Sequence, residues 1–300
     1  MLNEINHLMQ QIKAILASIS IALTTFAVYL PLLWWMLQRT WTSGPALVRL
    51  KKRMDNIILW WTNANRHMIK ALKLCDVRVQ WHNEDDMSAN RWYLVICNHQ
   101  SWTDIILLQS YLYGKIPPLK FFTKEQLIWI PFIGLAMYVL GFPYVKRVTK
   151  DQIKANPKLR HADRDNVAAA CTGFKNHPTS ILNFVEGTRR TQAKQRQQGH
   201  DYQHLLRPKT GGLAYVLADM DEHLDRMLDV TIVYPDGVPT FWDFLQGKCH
   251  RAHTEIVPHT IPQAIMLADE TERRAAVGQW IKSIWVDKDR RISQQLESHA

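Results

Sequence analysis

His99 and Asp104, five residues apart, are the pair in this sequence whose types and spacing best suit chemistry. A carboxylate bonded to one ring nitrogen of a histidine fixes its tautomer and stabilises the imidazolium formed when the other nitrogen takes a proton. Such a pair is a catalytic triad without its nucleophile. It suits a reaction in which a substrate hydroxyl, deprotonated by the histidine, attacks a carbonyl. Five residues do not align two side chains along one straight helix. The spacing therefore predicts His99 in a loop and Asp104 in the first turn of the following helix. Arg147 and the run Glu186-Gly187-Thr188-Arg189 also fall where apolar segments end. Singly, each has a plain reading: His99 as a histidine closing a strand, Arg147 as a surface cation, Glu186 with Arg189 as an exposed pair worth little. Together they form a base, its orienting acid and a cationic clamp, which suits acyl transfer to a phosphorylated alcohol.

The elements that must position these residues are legible around them. Trp92-Tyr93-Leu94-Val95-Ile96-Cys97 precedes His99 and reads as a buried strand, and Ile105-Ile106-Leu107-Leu108 opens a helix running to about Tyr113. In open α/β sheets, ligands bind where strands end at their carboxyl edge. Further strands are expected at Val77–Trp81, Leu119–Thr123 (closed by Lys124), Thr179–Val185 and Val230–Pro235. Helices are expected near 45–73, 166–176, from Pro208 onward and at the amphipathic C-terminus. A glutamine-rich basic stretch to about Arg207 reads as a long mobile loop. Strands alternate with helices, so the fold class is α/β, with one mixed sheet flanked by helices.

Ala14 to Leu37 carries no charged residue, and its roughly two dozen residues exceed the roughly 20 needed to cross a bilayer. Pro31 inside it admits a straight span, a kinked or re-entrant helix, or a soluble-core helix. Ser43-Gly44-Pro45 marks the boundary, giving a membrane-anchoring segment over 1–44 and a catalytic domain over 45–300. Arg39, Arg49, Lys51, Lys52 and Arg53 follow the apolar run while Lys13 alone precedes it, which places the catalytic domain on the cytoplasmic face. In a bacterium that is the inner membrane. The apolar stretch from Leu127 to Val145 admits a second span, or a helix on the core or the membrane face.

Lys and Arg number 37 against 27 Asp and Glu, and there are 12 Trp, many beside apolar runs. Basic charge with interfacial Trp fits an anionic membrane face and a phosphorylated substrate rather than nucleic acid. Cys75, Cys97, Cys171 and Cys249 have neither metal nor redox spacing, so no disulfide framework and a reduced compartment are expected. His250, His253 and His259 lack acidic or thiol partners at ligand spacing, so no metal site is expected.

The segments NHQSWTD, GFPYVKR, FVEGTRR and VTIVYP, in this order and at these separations, resemble the four blocks of the glycerolipid acyltransferases. That family includes the 1-acyl-glycerol-3-phosphate acyltransferases, and the resemblance runs from about Trp92 to Pro235. The whole chain resembles most the bacterial YihG-type members. The resemblance implies a fold like that of glycerol-3-phosphate acyltransferase and a membrane-bound enzyme carrying the His-x4-Asp motif of phospholipid biosynthesis. Its partners would be the phospholipid bilayer, a lysophospholipid acceptor and an acyl-CoA or acyl carrier protein donor, with no cofactor, no metal and no nucleic acid. It implies His99 as general base and Asp104 as its orienter. It implies an acceptor-phosphate site of Glu186, Gly187, Thr188 and Arg189, joined by Arg147 and Lys124. Lys146 stands where many members carry an acid, which leaves the acceptor headgroup open. The rival readings are an acyltransferase for lysocardiolipin, lysophosphatidylglycerol or glycerol 3-phosphate, a hydrolase using water in place of the alcohol, and a non-catalytic module binding anionic lipid.

Overall fold

The structure is a computed structural model that describes residues 2–130, 132–145, 162–199 and 201–298. Helix α1 (Leu2–Arg39) turns at residues 40–43 into helix α2 (Gly44–Ala71), and the two form an antiparallel hairpin. Opposed pairs trace the hairpin: Trp61 Nε1 donates to Thr25 Oγ1 at 3.1 Å, while Val28 and Leu32 pack with Met54, Ile57 and Ile58. Pro31 lies inside α1 without ending it, so the chain is not re-entrant there; it turns back at Ser43-Gly44-Pro45. Gly44, in the left-handed region at φ +56, makes that turn.

The main sheet uses β1 (Cys75–Trp81), β2 (Trp92–Cys97), β3 (Leu119–Phe121), β6 (Ser180–Asn183), β7 (Leu224–Val233) and β8 (Cys249–His259). Their spatial order is β1-β8-β7-β2-β6-β3. Strands β7, β2, β6 and β3 run parallel, and β8 is antiparallel to β7 and parallel to β1. The carboxyl ends of β7, β2 and β6 are therefore neighbours on one edge. A separate two-strand ladder pairs β4 (Thr123–Lys124) with β5 (Tyr144–Val145).

Side chains of β2 alternate between two cores, as a strand covered on both faces must. Tyr93, Val95 and Cys97 join Leu107 and Leu108 of α3 (Thr103–Leu112), Ala14 and Ala17 of α1, and Phe244 of α8 (Phe241–Leu245). Leu94 and Ile96 join the opposite core. It is built on α5 (Ala162–Phe174), α7 (Gly211–Asp219) and the long C-terminal α10 (Glu270–Glu297), with Trp285 fully buried in it. Short helices α6 (Gln192–Gln198) and α9 (Gln263–Leu267) complete the fold.

Two expectations are corrected. The stretch from Leu127 to Val145 is no long helix. It divides into a 3-10 turn (Glu125–Trp129), the two-turn α4 (Ile133–Val139) and β5. Phe132, at φ +63, separates the first two, and Gly141, at φ +75, ends α4. The stretch after Arg190 is likewise not one loop. Thr191 accepts a bond from Lys194 N and caps α6, whose Gln, Lys and Arg are good helix formers.

Two ionic clusters fasten helices to the sheet. Asp55 of α2 pairs with Lys120 of β3 at 3.0 Å and with His177, and both Asp55 and Lys120 are buried. Lys288 of α10, fully buried, reaches Asp229 of β7 at 2.6 Å.

Candidate active site

The site is built where β2 ends. Asn98, buried, closes the strand by pairing its side chain with the backbone of β7. Its Nδ2 donates to Ile232 O and its Oδ1 accepts from Ile232 N, both at 2.9 Å. The chain then leaves the sheet with its exit direction fixed. His99 Nδ1 lies 2.9 Å from Asp104 Oδ2. Asp104 sits in the first turn of α3 and is fully buried, and its Oδ2 also accepts from Gln100 N at 2.6 Å and Ser101 N at 2.9 Å. Tyr234, just past the end of β7, donates its hydroxyl to Asp104 Oδ1 at 2.7 Å. Both carboxylate oxygens are thus held, Oδ2 by three partners and Oδ1 by the Tyr234 hydroxyl. Nδ1 of His99 bonds to a fixed acceptor, and no hydrogen bond engages Nε2 among the described residues. The ring stacks on Phe184 with centroids 4.0 Å apart and is 13% exposed.

The Glu186–Arg189 run follows β6, next to β2. Glu186 is fully buried and faces backbone rather than solvent. Its Oε2 accepts from His99 N at 3.2 Å and its Oε1 from Leu206 N at 3.1 Å. Burial pushes its carboxyl from an ordinary 4.5 to about 7. Within the acceptor site expected from the sequence, Glu186 therefore acts on the backbone that carries His99. Arg190 N donates to His99 O at 2.7 Å, a second tie between the two strand ends. Gly187 occupies the left-handed region at φ +69, a turn that returns the chain towards His99. Arg189 is exposed, its guanidinium 5.0 Å from the ring centre of Trp102, and it has no ion-pair partner among the described residues. Thr188 Oγ1 accepts from Lys194 Nζ at 2.7 Å, and the same ammonium donates to Arg189 O at 3.0 Å.

The structure therefore gathers His99, Asp104, Gly187, Thr188 and Arg189 at one edge, with Glu186 beneath. Lys124 lies in β4, on the separate ladder. Arg147 falls outside the described residues. Tyr234, Phe184, Trp102 and Lys194 were not singled out from sequence. Tyr234 alone carried a signal, as a hydroxyl at the carboxyl end of an apolar strand. The amide N–H groups at the start of α3 are committed: those of Gln100 and Ser101 to Asp104, and that of Thr103 to Ser101 Oγ at 3.2 Å.

Beside the site lies an apolar cavity of about 180 Å³ between the hairpin, α3 and α4. Ile57, Ile58 and Trp61 line one wall, Ala136 and Leu140 another, and Ile105, which directly follows Asp104, a third.

Comparison with known proteins fits this geometry. The family model described as Acyltransferase matches residues 78–235, which is 158 of the 300 residues. The mouse protein named 1-acyl-sn-glycerol-3-phosphate acyltransferase epsilon is 24% identical over 236 residues, 71% of this chain and 60% of its own. The Saccharomyces cerevisiae protein named 2-acyl-1-lysophosphatidylinositol acyltransferase is 24% identical over 242 residues, 65% of this chain and 59% of its own. This chain thus spans about three fifths of the length of these curated relatives. The crystal structure of the 1-acyl-sn-glycerophosphate acyltransferase PlsC from Thermotoga maritima superposes with a TM-score of 0.54 at 17% identity. It covers 91% of this chain and 95% of that one, a likeness of fold. With the family model spanning more than half of its residues, and the histidine–aspartate site inside that span, the chain belongs to the acyltransferase family.

Proposed function

We propose that this acyltransferase moves a fatty acyl group from acyl-CoA or acyl carrier protein to the free hydroxyl of 1-acyl-glycerol 3-phosphate, giving phosphatidic acid. The observation that carries the reading is His99. Its Nδ1 is held by a buried carboxylate, its Nε2 engages no hydrogen bond among the described residues, and Arg189, without an ion-pair partner there, stands on the loop after the neighbouring strand. His99 Nε2 takes the acceptor's hydroxyl proton as that oxygen attacks the thioester carbonyl. Asp104, itself held by Tyr234, stabilises the imidazolium that results. The tetrahedral intermediate collapses, the C–S bond breaks, and His99 returns the proton to the departing thiolate. The acceptor hydroxyl serves as nucleophile, so the step passes through no acyl-enzyme. Arg189 offers the acceptor phosphate a planar fork of donors, with its orientation set by Trp102. Thr188 and Gly187 shape the same loop, and Arg147 and Lys124 are proposed as further phosphate contacts. The apolar cavity takes an acyl chain.

The hairpin would deliver this site to its lipid substrates. Residues Asn3–Arg39 are long and apolar enough to cross a membrane by length and composition. Yet from Ala14 onward α1 packs against α2, α4 and α8, while Leu23, Phe26 and Leu30 point outward. A helix bound sideways to the domain that holds the site lies along a bilayer face more readily than it threads through it. We place it in the cytoplasmic leaflet, with Arg39, Arg49, Lys51, Lys52 and Arg53 near anionic headgroups.

The test is acyl transfer from oleoyl-CoA to a panel of lysophospholipids by the purified protein. His99→Ala is expected to lower kcat by about 10²–10⁴, and Arg189→Ala to raise the acceptor KM with a smaller change in kcat. Full activity in His99→Ala overturns the mechanism. Preference for lysophosphatidylinositol, the acceptor in the yeast relative's name, would move the acceptor assignment and leave the chemistry standing.

A further inference from the structure

Cys75 and Cys249 are the first residues of β1 and β8, and they are register partners in that parallel ladder. Their Sγ atoms are 2.9 Å apart, closer than two sulfurs sit when neither bonds the other. Both are free thiols separated by 174 residues of chain. Neighbouring strands stand roughly 4.8 Å apart, within the Cα separations that a disulfide spans. The ladder is irregular at Cys75, so its backbone has room to adjust. Cys75 is half-buried on the sheet's edge strand and open to a small reagent, while Cys249 is buried behind it. Cys97 and Cys171 are fully buried in opposite cores and face no thiol.

We propose that Cys75 and Cys249 form a redox-modifiable dithiol site, converted to an intrachain disulfide by a low-molecular-weight disulfide such as oxidised glutathione. The Cys75 thiolate attacks one glutathione sulfur, breaking the glutathione S–S bond and leaving a mixed disulfide plus one glutathione thiolate. That thiolate takes the Cys249 proton. Cys249 sulfur then attacks Cys75 Sγ and expels the second glutathione as a thiolate, which takes up the proton that Cys75 released to solvent on ionising. Two protein thiols are oxidised and one external disulfide is reduced to two thiols, so electrons and protons balance. The hydrogen bond to Cys249, burial, and the charges of Asp76 and Asp236 all hold the proton on Cys75. The first attack is therefore slow at neutral pH and faster above it.

The bridge would sit at a mechanical joint. Cys75 follows α2 by the short link Leu72–Leu74, and Cys249 follows α8. A bond between them staples the foot of the hairpin to the segment descending from β7, which carries Tyr234 and the Pro239 carbonyl that holds Ser101. Closing a loop this long restrains the unfolded chain strongly.

The experiment treats the purified full chain with oxidised glutathione and counts thiols under denaturing conditions. We expect loss of two of the four thiols, a mass decrease of about two hydrogens, a peptide joining Cys75 to Cys249, and a Tm raised by several degrees. Dithiothreitol should reverse all of these. Cys75→Ser and Cys249→Ser should each abolish the bridge, and Cys171→Ser should leave it intact. Four thiols still titratable, a glutathione adduct persisting on Cys75, or a bridge to another cysteine would each overturn the assignment. No arm reads acyl transfer, so the result stands apart from the proposed function.

Discussion

At the scale of single residues, the site shows how little of the environment of His99 its neighbours in sequence supply. The five-residue spacing of His99 and Asp104 was enough to place one in a loop and the other in the first helical turn, because the carboxylate can then curl back and accept the loop's N–H groups. Tyr234 and Glu186 escaped that logic in their roles, since both act across strands that only the sheet order makes adjacent. Glu186 illustrates the difference most sharply. Its place after an apolar strand marked it as a site residue, but its burial, and hence its work on the backbone of His99, depends on Leu206, twenty residues on. A testable consequence is its pH dependence. The folded state raises this carboxyl from 4.5 to about 7, so the folded chain binds that proton more tightly than the unfolded chain. The contribution of Glu186 to stability is complete below pH 4.5 and falls away as pH rises through 7, by roughly 3 kcal/mol. Glu186→Gln should lack that slope in denaturant unfolding between pH 5 and 8. It should also show a pH-independent loss of about 1–3 kcal/mol, because its amide NH2 would face an N–H where an oxygen stood.

At the scale of elements, the uninterrupted apolar run of β2 marked a buried strand, and the succession of short apolar runs and longer helical stretches located most elements. What sequence patterning missed was subdivision. Leu127–Val145 is apolar throughout, yet Phe132 at positive φ and Gly141 break it, and periodicity carries no trace of such a break. The pieces become the wall of the apolar cavity. Filling that wall with Ala136→Phe should shift donor preference from oleoyl- towards decanoyl-CoA by about tenfold or more in kcat/KM, with the preference read in competition assays. The hairpin itself is fastened by Asp55. Burial alone would raise its carboxyl, but the bond to His177 and the charge of Lys120 outweigh burial and hold it below the ordinary 3.8. This contribution is present above pH 3.8 and is lost as pH falls through the lower folded value. Asp55→Asn strands Lys120 as a buried, unpaired cation and should cost about 3–5 kcal/mol at pH 7, measurable as a lowered denaturation midpoint.

At the scale of the whole molecule, the apolar exterior is concentrated on the hairpin and beside it. Leu23, Phe26, Leu30 and Trp34 of α1, Trp60 of α2, and Trp129 and Ile133 at and near α4 are all exposed. Composition had announced this through its Trp content and basic charge, but only the fold shows that residues from three separate stretches share that exterior. Under the proposed function, the partner for this surface is a bilayer. Replacing Leu23 and Phe26 together by Asp should reduce flotation with vesicles of anionic phospholipid at least tenfold. Unfolding by heat should be unchanged, because neither side chain touches the core. Loss of the fold in that variant would contradict the placement of these residues on a free face.

The packing of α1 also sets a timetable. Ala14 and Ala17 share a core with Phe244, about 230 residues later in the chain. At the ~5–20 residues per second of synthesis, α1 emerges roughly 10–50 s before the helix it is to pack against. For that interval the most apolar segment of the protein has α2 as its main companion, and it needs a surface on which to wait. A membrane beside the ribosome would supply one. Refolding from denaturant without lipid or detergent should then lose material to aggregation in proportion to concentration, while vesicles added before dilution should recover it.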